Sequence, residues 1–404
     1  MSSSEEGPTP MRLVLRALLV TAAVVAAAHL TSCRFRPSPA ERDLAVYPDA
    51  IDGVPAIRVL VQDGLAEARV TVDGPYVIEA VPPDPAQHPL GEAAGPVAAT
   101  VRPTVQGFVL GDPKSPRAHA PYPRIRFRPK PGAHLTVDGI DYGGAVDLVR
   151  VLPAGNEGAP RLRVVALVDL ERYLVGVVPH EMYSHWPVEA LRAQCIASRS
   201  YALYKIKTRA HVDFDVRDSA ASQVWKPSGK GSPIINAVVN STRGIVMTDN
   251  WRLFPAYFSA QCGGETKNGA DVFVSREISP LSGVKCPFCF DSPRELHRWR
   301  VSIPLTEVRE RLARRGTTVG EVRAVRALDN HGRALKGVGR VYDVSVEHDG
   351  AGRMLILPAE TFRYIMGPGR NRVASSFLTA ETQSGSVVLQ GRGHGHGVGM
   401  CQYG

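Results

Sequence analysis

Proline and glycine break this chain into runs too short for long helices. Thirty-eight glycines and thirty-two prolines are spread through 404 residues. Between them apolar and polar residues alternate in short bursts: Ile57 to Val61, Ala68 to Val72 before the turn Asp73-Gly74, Ile125 to Phe127, Leu135 to Val137 before Asp138-Gly139, Leu162 to Val168, Val341 to Val346, and Ser386 to Leu389. Alternation closed by Asp-Gly turns is the pattern of half-buried antiparallel strands. A composition of 44% hydrophobic and 22% charged residues is that of a chain that buries a core, which excludes disorder. The expected fold class is therefore α+β and β-rich, with antiparallel sheets, one prominent helix carrying the site, and a glycine-rich motif from Gly391 to Gly404. Residues 82 to 103, rich in Pro, Ala and Gly, read as an inserted loop.

The prominent helix starts after Trp186-Pro187, where proline's missing N–H costs nothing, and runs from Val188 to about Lys207. Leu191, Cys195, Ser198 and Ala202 recur at helical spacing on one stripe, and Arg192 and Arg199, two turns apart, share another face. A second helix is expected over Leu305 to Arg315. The segment ending at Pro179 reads as a strand, which places Glu181 on a loop between strand and helix, a common seat for a catalytic group.

The first 33 residues have the layout of an export signal: Arg12 and Arg16, the apolar run Ala17 to Ala28, then Leu30-Thr31-Ser32-Cys33. The last four resemble the lipobox of bacterial lipoproteins, which makes Cys33 the expected lipid attachment point and the membrane a partner. A plain signal peptide or short signal anchor is the alternative. The expected organisation is a signal peptide over 1–33, a tether over 34–55, a β-rich part over 56–165 and a catalytic or binding part over 166–404. All but the signal would work outside the cytoplasm, facing the periplasm or cell wall. A net charge of +9 favours anionic partners such as cell-wall polymers, and export argues against nucleic acid.

Cys262, Cys286 and Cys289 form a further constellation, since Cys286-Pro287-Phe288-Cys289 has the spacing that lets two thiolates share one tetrahedral zinc. Cys401, His297 or His396 would complete it. Disulfide bonding, favoured by an oxidising compartment, is the competing reading. Cys195 reads as a packed core residue. His394 and His396 alternate with Gly393, Gly395, Gly397 and Gly399 in a loop that lets a sugar or another backbone approach closely, or that binds metal. Tyr257, Trp225 and Trp186 are either sugar-stacking rings or core.

Leu174 to Met182, Trp186 to Gln194 and Ala197 to Ala202 together resemble the stage II sporulation protein D and amidase-enhancer family of bacterial cell-wall proteins. Asp218 to Trp225, Thr242-Arg243-Gly244, Ala256 to Ser259, Cys262 to Thr266 and Gly393 to Gly404 follow in the family's order, from about residue 56 to the end. In the family the last motif is normally followed by more chain, so the sequence reads as truncated. The resemblance implies peptidoglycan as the target, with some members cutting peptide-free glycan strands as lytic transglycosylases and others assisting a separate amidase. It implies Glu181 as the single acid–base group. Arg192, where the family usually has lysine, and Arg199 match its helix cations, which hold substrate or, for Arg199 equally, make a buried ion pair. His396 matches the terminal motif as a substrate contact, with Tyr257 beside it. The resemblance also implies a structural zinc on Cys262, Cys286, Cys289 and Cys401.

Overall fold

Two antiparallel sheets absorb the alternating stretches of the first half. The computed structural model describes residues 49–404 except 52, 82–89, 113–114, 154, 156–157, 228–230, 274–276, 292–297, 350–352 and 370–371. The signal, Cys33 and His297 lie outside the described residues. The larger sheet runs in the order Ala50–Ile51, Val54–Leu65, Arg161–Asp169, Ala145–Val151, Arg124–Pro129, Tyr76–Ala80 and Gly91–Ala93, with Val216–Arg217 parallel to Val54–Leu65. The smaller runs Ile140–Asp141, Leu135–Val137, Ala68–Val72, Val97–Pro103, Phe108–Asp112 and Ser115–Ala120. Pairing thus starts at Ala50, inside the segment read as a tether. It also includes Gly91–Ala93 and Val97–Pro103, within the stretch read as a loop, because Val97 to Val101 register with Ala68 to Val72 despite the neighbouring prolines.

The central strands are buried on both faces. Ile57, Val59, Leu162, Val164 and Val165 are wholly inaccessible. Charges inside this sheet are matched: Arg58 pairs with Asp215 at 2.6 Å, and Arg124 and Arg126 share Asp147. A buried charge is tolerated only when paired in this way.

Five α-helices occur among the described residues: α1 (Leu170–Glu181), α2 (Val188–Thr208), α3 (Pro233–Ser241), α4 (Leu305–Arg314) and α5 (Ala359–Met366). α1, not a strand, holds Leu174 to Pro179. Its buried residues, among them Leu170, Tyr173, Leu174, Val177 and Val178, cover more than half of its circumference, and Arg172, Val175 and Pro179 lie on the remaining face. α2 is the long helix the sequence predicts, yet Glu181 belongs to α1. No helix among the described residues is long and apolar enough to cross a membrane.

Residues 298–392 build a lobe with its own core of Ile303, Val308, Leu312, Val325, Val344, Phe362 and Leu389. A four-stranded sheet (Arg298–Pro304, Ser386–Arg392, Phe377–Gln383, Gly339–Arg340) and a three-stranded one (Val322–Leu328, Asp343–His348, Met354–Pro358) carry α4 and α5. The chain then returns to pair Met400–Cys401 in parallel with Phe258–Ser259.

Candidate functional site

Glu181 closes α1, and local sequence fixes where its carboxyl sits. Asp169 caps the helix start by accepting the Arg172 N–H at 2.9 Å. Met182, in extended backbone, ends it while still donating its N–H to the Val178 carbonyl. Gly176 lies against residues 225 and 226: any Cβ there would collide with the Lys226 carbonyl and the Trp225 ring. That close approach brings in segment 218–226, held by the Lys226 N–H on the Gly176 carbonyl and by the Tyr173 hydroxyl on Gln223 Oε1 at 2.9 Å. Its Val224 N–H donates to Glu181 Oε1 at 2.7 Å. Burial pushes the Glu181 carboxyl above the usual carboxylate range, against the lowering effect of that hydrogen bond.

The glycine-rich motif closes the site from the other side. Gly393, Gly395, Gly397 and Gly399 all have positive φ, and at Gly399 a Cβ would strike the Tyr257 carbonyl. Gln402, just beyond, donates Nε2 to the Glu181 carbonyl at 3.1 Å and to Gln194 Oε1 at 3.0 Å. One side chain thereby ties the motif to the end of α1 and to the second turn of α2.

Two cavities share Glu181, Ala260, His394 and Gln402. The larger, about 500 Å³, is walled by Tyr201, Ser222, Tyr257 and His396, and by Arg363 and Tyr364 from the 298–392 lobe. The smaller, about 300 Å³, is walled by His180, Tyr183, Trp186 and Tyr403. There the Trp186 ring meets Tyr403 edge-on at 4.7 Å and Tyr183 at 6.0 Å, leaving Tyr183 exposed. Among the described residues lining either cavity, Glu181 is the one carboxylate and Arg363 the one permanent cation.

Of the residues singled out in the sequence, Tyr257, His394 and His396 join Glu181 in the larger cavity, and Trp186 lines the smaller. His396 Nδ1 accepts the Val398 N–H at 3.0 Å. Burial, with the Arg363 and Arg340 charges nearby and Glu360 opposing them, drops its pKa to about 4, so it is neutral at neutral pH.

The two helix arginines do not join them. Arg199 is buried and bidentate on Glu171, at 3.0 and 2.8 Å, with further bonds to the Ile245 carbonyl and Thr242 hydroxyl. It locks α1, α2 and α3 together. Arg192 reaches Glu189 and Ser241 on the other side of α2 and lines neither cavity. Their shared-face spacing was visible in the sequence, but not that the face turns toward α3. Trp225 is core, between Tyr142 and Tyr173. Val224 and Gln402 lie inside the motifs that carry the resemblance but were not singled out, because Val224 acts through its backbone N–H and Gln402 on a distant backbone carbonyl, and Arg363, from a distant element, gave no sequence signal.

Cys262, Cys286, Cys289 and Cys401 converge, with their four Sγ atoms all within 4.8 Å of one another. Cys289 Sγ lies 3.4, 3.7 and 3.2 Å from those of Cys262, Cys286 and Cys401. A disulfide brings sulfurs to about 2.05 Å, whereas thiolates about 2.3 Å from a tetrahedral zinc stand close to 4 Å apart. The four residues fit a closed thiolate site, and His396 is not among them.

Residues 159–248, spanning the end of the central sheet, α1, α2 and α3, match a family model described as stage II sporulation protein. The chain is 29% identical over 271 residues to an uncharacterized protein of Brachyspira hyodysenteriae, the match covering 67% of each. It is 27% identical over 260 residues to stage II sporulation protein D of Bacillus amyloliquefaciens, covering 59% of this chain and 67% of that one. It is also 25% identical over 273 residues to the amidase enhancer of Bacillus subtilis, covering 57% of this chain but only 36% of the enhancer. Through this domain and these relatives the chain is similar to the stage II sporulation protein D and amidase enhancer family.

Proposed function

We propose that the protein is a peptidoglycan lytic transglycosylase that cuts glycan strands with Glu181 alone. The observation that supports this is the isolation of Glu181: one carboxyl, raised by burial, where two cavities meet, with no second carboxylate among their described lining residues. Hydrolysis of a glycoside calls for two carboxylates. Intramolecular transfer calls for one. Glu181 protonates the departing glycosidic oxygen as the anomeric C–O bond breaks. The 6-hydroxyl of the same muramic acid then bonds to the anomeric carbon and gives its proton to the carboxylate, closing a 1,6-anhydro ring and restoring the acid without consuming water. The Tyr183, Trp186 and Tyr403 cluster offers ring faces on one side of Glu181, and Tyr257 on the other.

The likeness to the amidase enhancer supports a second reading, a non-catalytic peptidoglycan-binding partner of a cell-wall amidase. Digestion of purified glycan strands followed by mass spectrometry separates the two, because only cleavage by transfer leaves anhydro ends.

A zinc ion on Cys262, Cys286, Cys289 and Cys401 belongs to the same proposal. With four thiolates and no open position it would supply structure rather than chemistry. Cys401 adjoins Gln402, so such a site would fix the residue that holds the Glu181 carbonyl. Export and lipid attachment at Cys33 complete the proposal. Detergent partitioning of the wild type, lost in Cys33→Ala, is the result that supports anchoring; unchanged partitioning would discard it.

A further inference from the structure

The lobe of residues 298–392 reaches the groove through two neighbouring residues of α5, Arg363 and Tyr364. Arg363 is buried, its side chain 6% exposed, and its Nε donates to Glu360 Oε2 at 2.6 Å. The guanidinium lies 4.9 Å from the centre of the Tyr364 ring, which is itself exposed. One edge of the guanidinium is therefore fixed by Glu360. Arg363 lines the cavity that contains Glu181, and its hydrogen bond to a described residue is made through Nε.

A guanidinium held through Nε in the wall of a groove, with an exposed ring beside it, suits a ligand with both a carboxylate and a flat sugar face. Among the described residues, no other lining residue offers a permanent positive charge. Arg192 and Arg199 spend theirs elsewhere. We propose that Arg363 and Tyr364 form an acidic-sugar subsite, in which Arg363 binds the free lactyl carboxylate of a muramic acid residue while Tyr364 packs against the sugar.

This rests on the glycan-strand reading above and adds to it a determinant of specificity. A strand whose lactyl group is amide-linked to a stem peptide lacks the carboxylate, so the subsite favours peptide-free strands. It also gives the 298–392 lobe a part in substrate choice.

The test is equilibrium binding, without turnover, of peptide-free glycan fragments with the lactyl carboxylates intact or converted to neutral amides. Wild type should bind the intact fragments about ten- to a hundredfold more tightly, the range expected for hydrogen bonds to a charged group. Arg363→Gln should bind both forms alike, at the level of wild type with the amidated one. Tyr364→Ala should weaken both forms equally and keep the preference. Because Arg363→Gln leaves Glu360 unpaired, the Arg363→Gln/Glu360→Gln double variant serves if the single one unfolds. Equal binding of the two forms by wild type would overturn the subsite and leave the transglycosylase reading standing. Binding of neither form would remove the glycan reading and the subsite together. A preference for intact strands without anhydro-ended products would uphold the subsite and refute catalysis.

Discussion

Val224 donates its backbone N–H to Glu181 Oε1 at 2.7 Å, and this is the hydrogen bond that orients the proposed acid. It stabilises the charged carboxylate, whereas burial stabilises the neutral acid, and burial prevails. A carboxyl so placed keeps its proton to higher pH than an exposed one, on the oxygen that Val224 leaves free, and a general acid needs a shift in that direction. Cleavage should therefore fall as pH rises through the raised Glu181 pKa. The same shift sets a stability window. Because the folded pKa lies above the unfolded one, the native state binds the proton more tightly, so this group's contribution is most favourable below the unfolded pKa and declines as pH rises to the folded one. Glu181→Gln should remove that decline, read as a flatter melting temperature against pH.

Gln402 should matter beyond its own two hydrogen bonds. Gln402→Ala leaves the Glu181 carbonyl and Gln194 Oε1 without their donor. The expected cost is about 1–3 kcal/mol of stability, measured by denaturant titration, with a larger loss of cleavage than of glycan binding. Loss of binding alone would place Gln402 outside the catalytic geometry.

Elemental analysis of protein purified without chelator should give about one zinc per chain, as a closed four-thiolate site requires. Chelation should lower the melting temperature, and Cys401→Ser should do the same without chelator. If the thiols react under denaturing, metal-free conditions only after a reductant is added, the cysteines are disulfides and the zinc assignment fails.

The two helix arginines should behave in opposite ways. Arg199→Ala leaves Glu171 buried and unpaired, at a cost of about 3–5 kcal/mol. Arg192→Ala removes a pair between exposed side chains, worth up to about 1 kcal/mol, and should leave both glycan binding and cleavage near wild type. A large binding defect in Arg192→Ala would return that residue to the site.

The outer strands, α2 and α4 were legible because each has a more buried and a more exposed face, and the central strands, buried on both faces, because they are short runs rich in Val, Leu and Ile. α1 was not. Val175, Val177 and Val178 favour a strand by local preference, but packing of the helix's wide buried face overrides it. Glu181, Tyr257, His396 and the four cysteines could be named because their spacing or family motif marks them. Arg363 and Tyr364 lie more than 180 residues from Glu181 in a lobe whose sequence advertises only its own core, so folding alone brings them to the groove.

The central claim is that Glu181 breaks glycan strands by acid–base transfer, and the most direct measurement is the rate of anhydro-ended fragment release from purified strands. Glu181→Gln keeps the side chain's shape and still accepts the Val224 N–H, but has no proton to give. It should fold and bind glycan as wild type does while losing about a hundred- to ten-thousandfold in rate. Release by Glu181→Gln at the wild-type rate would contradict this role for the residue, and a wild-type protein that releases no anhydro ends while stimulating an added amidase would contradict catalysis altogether.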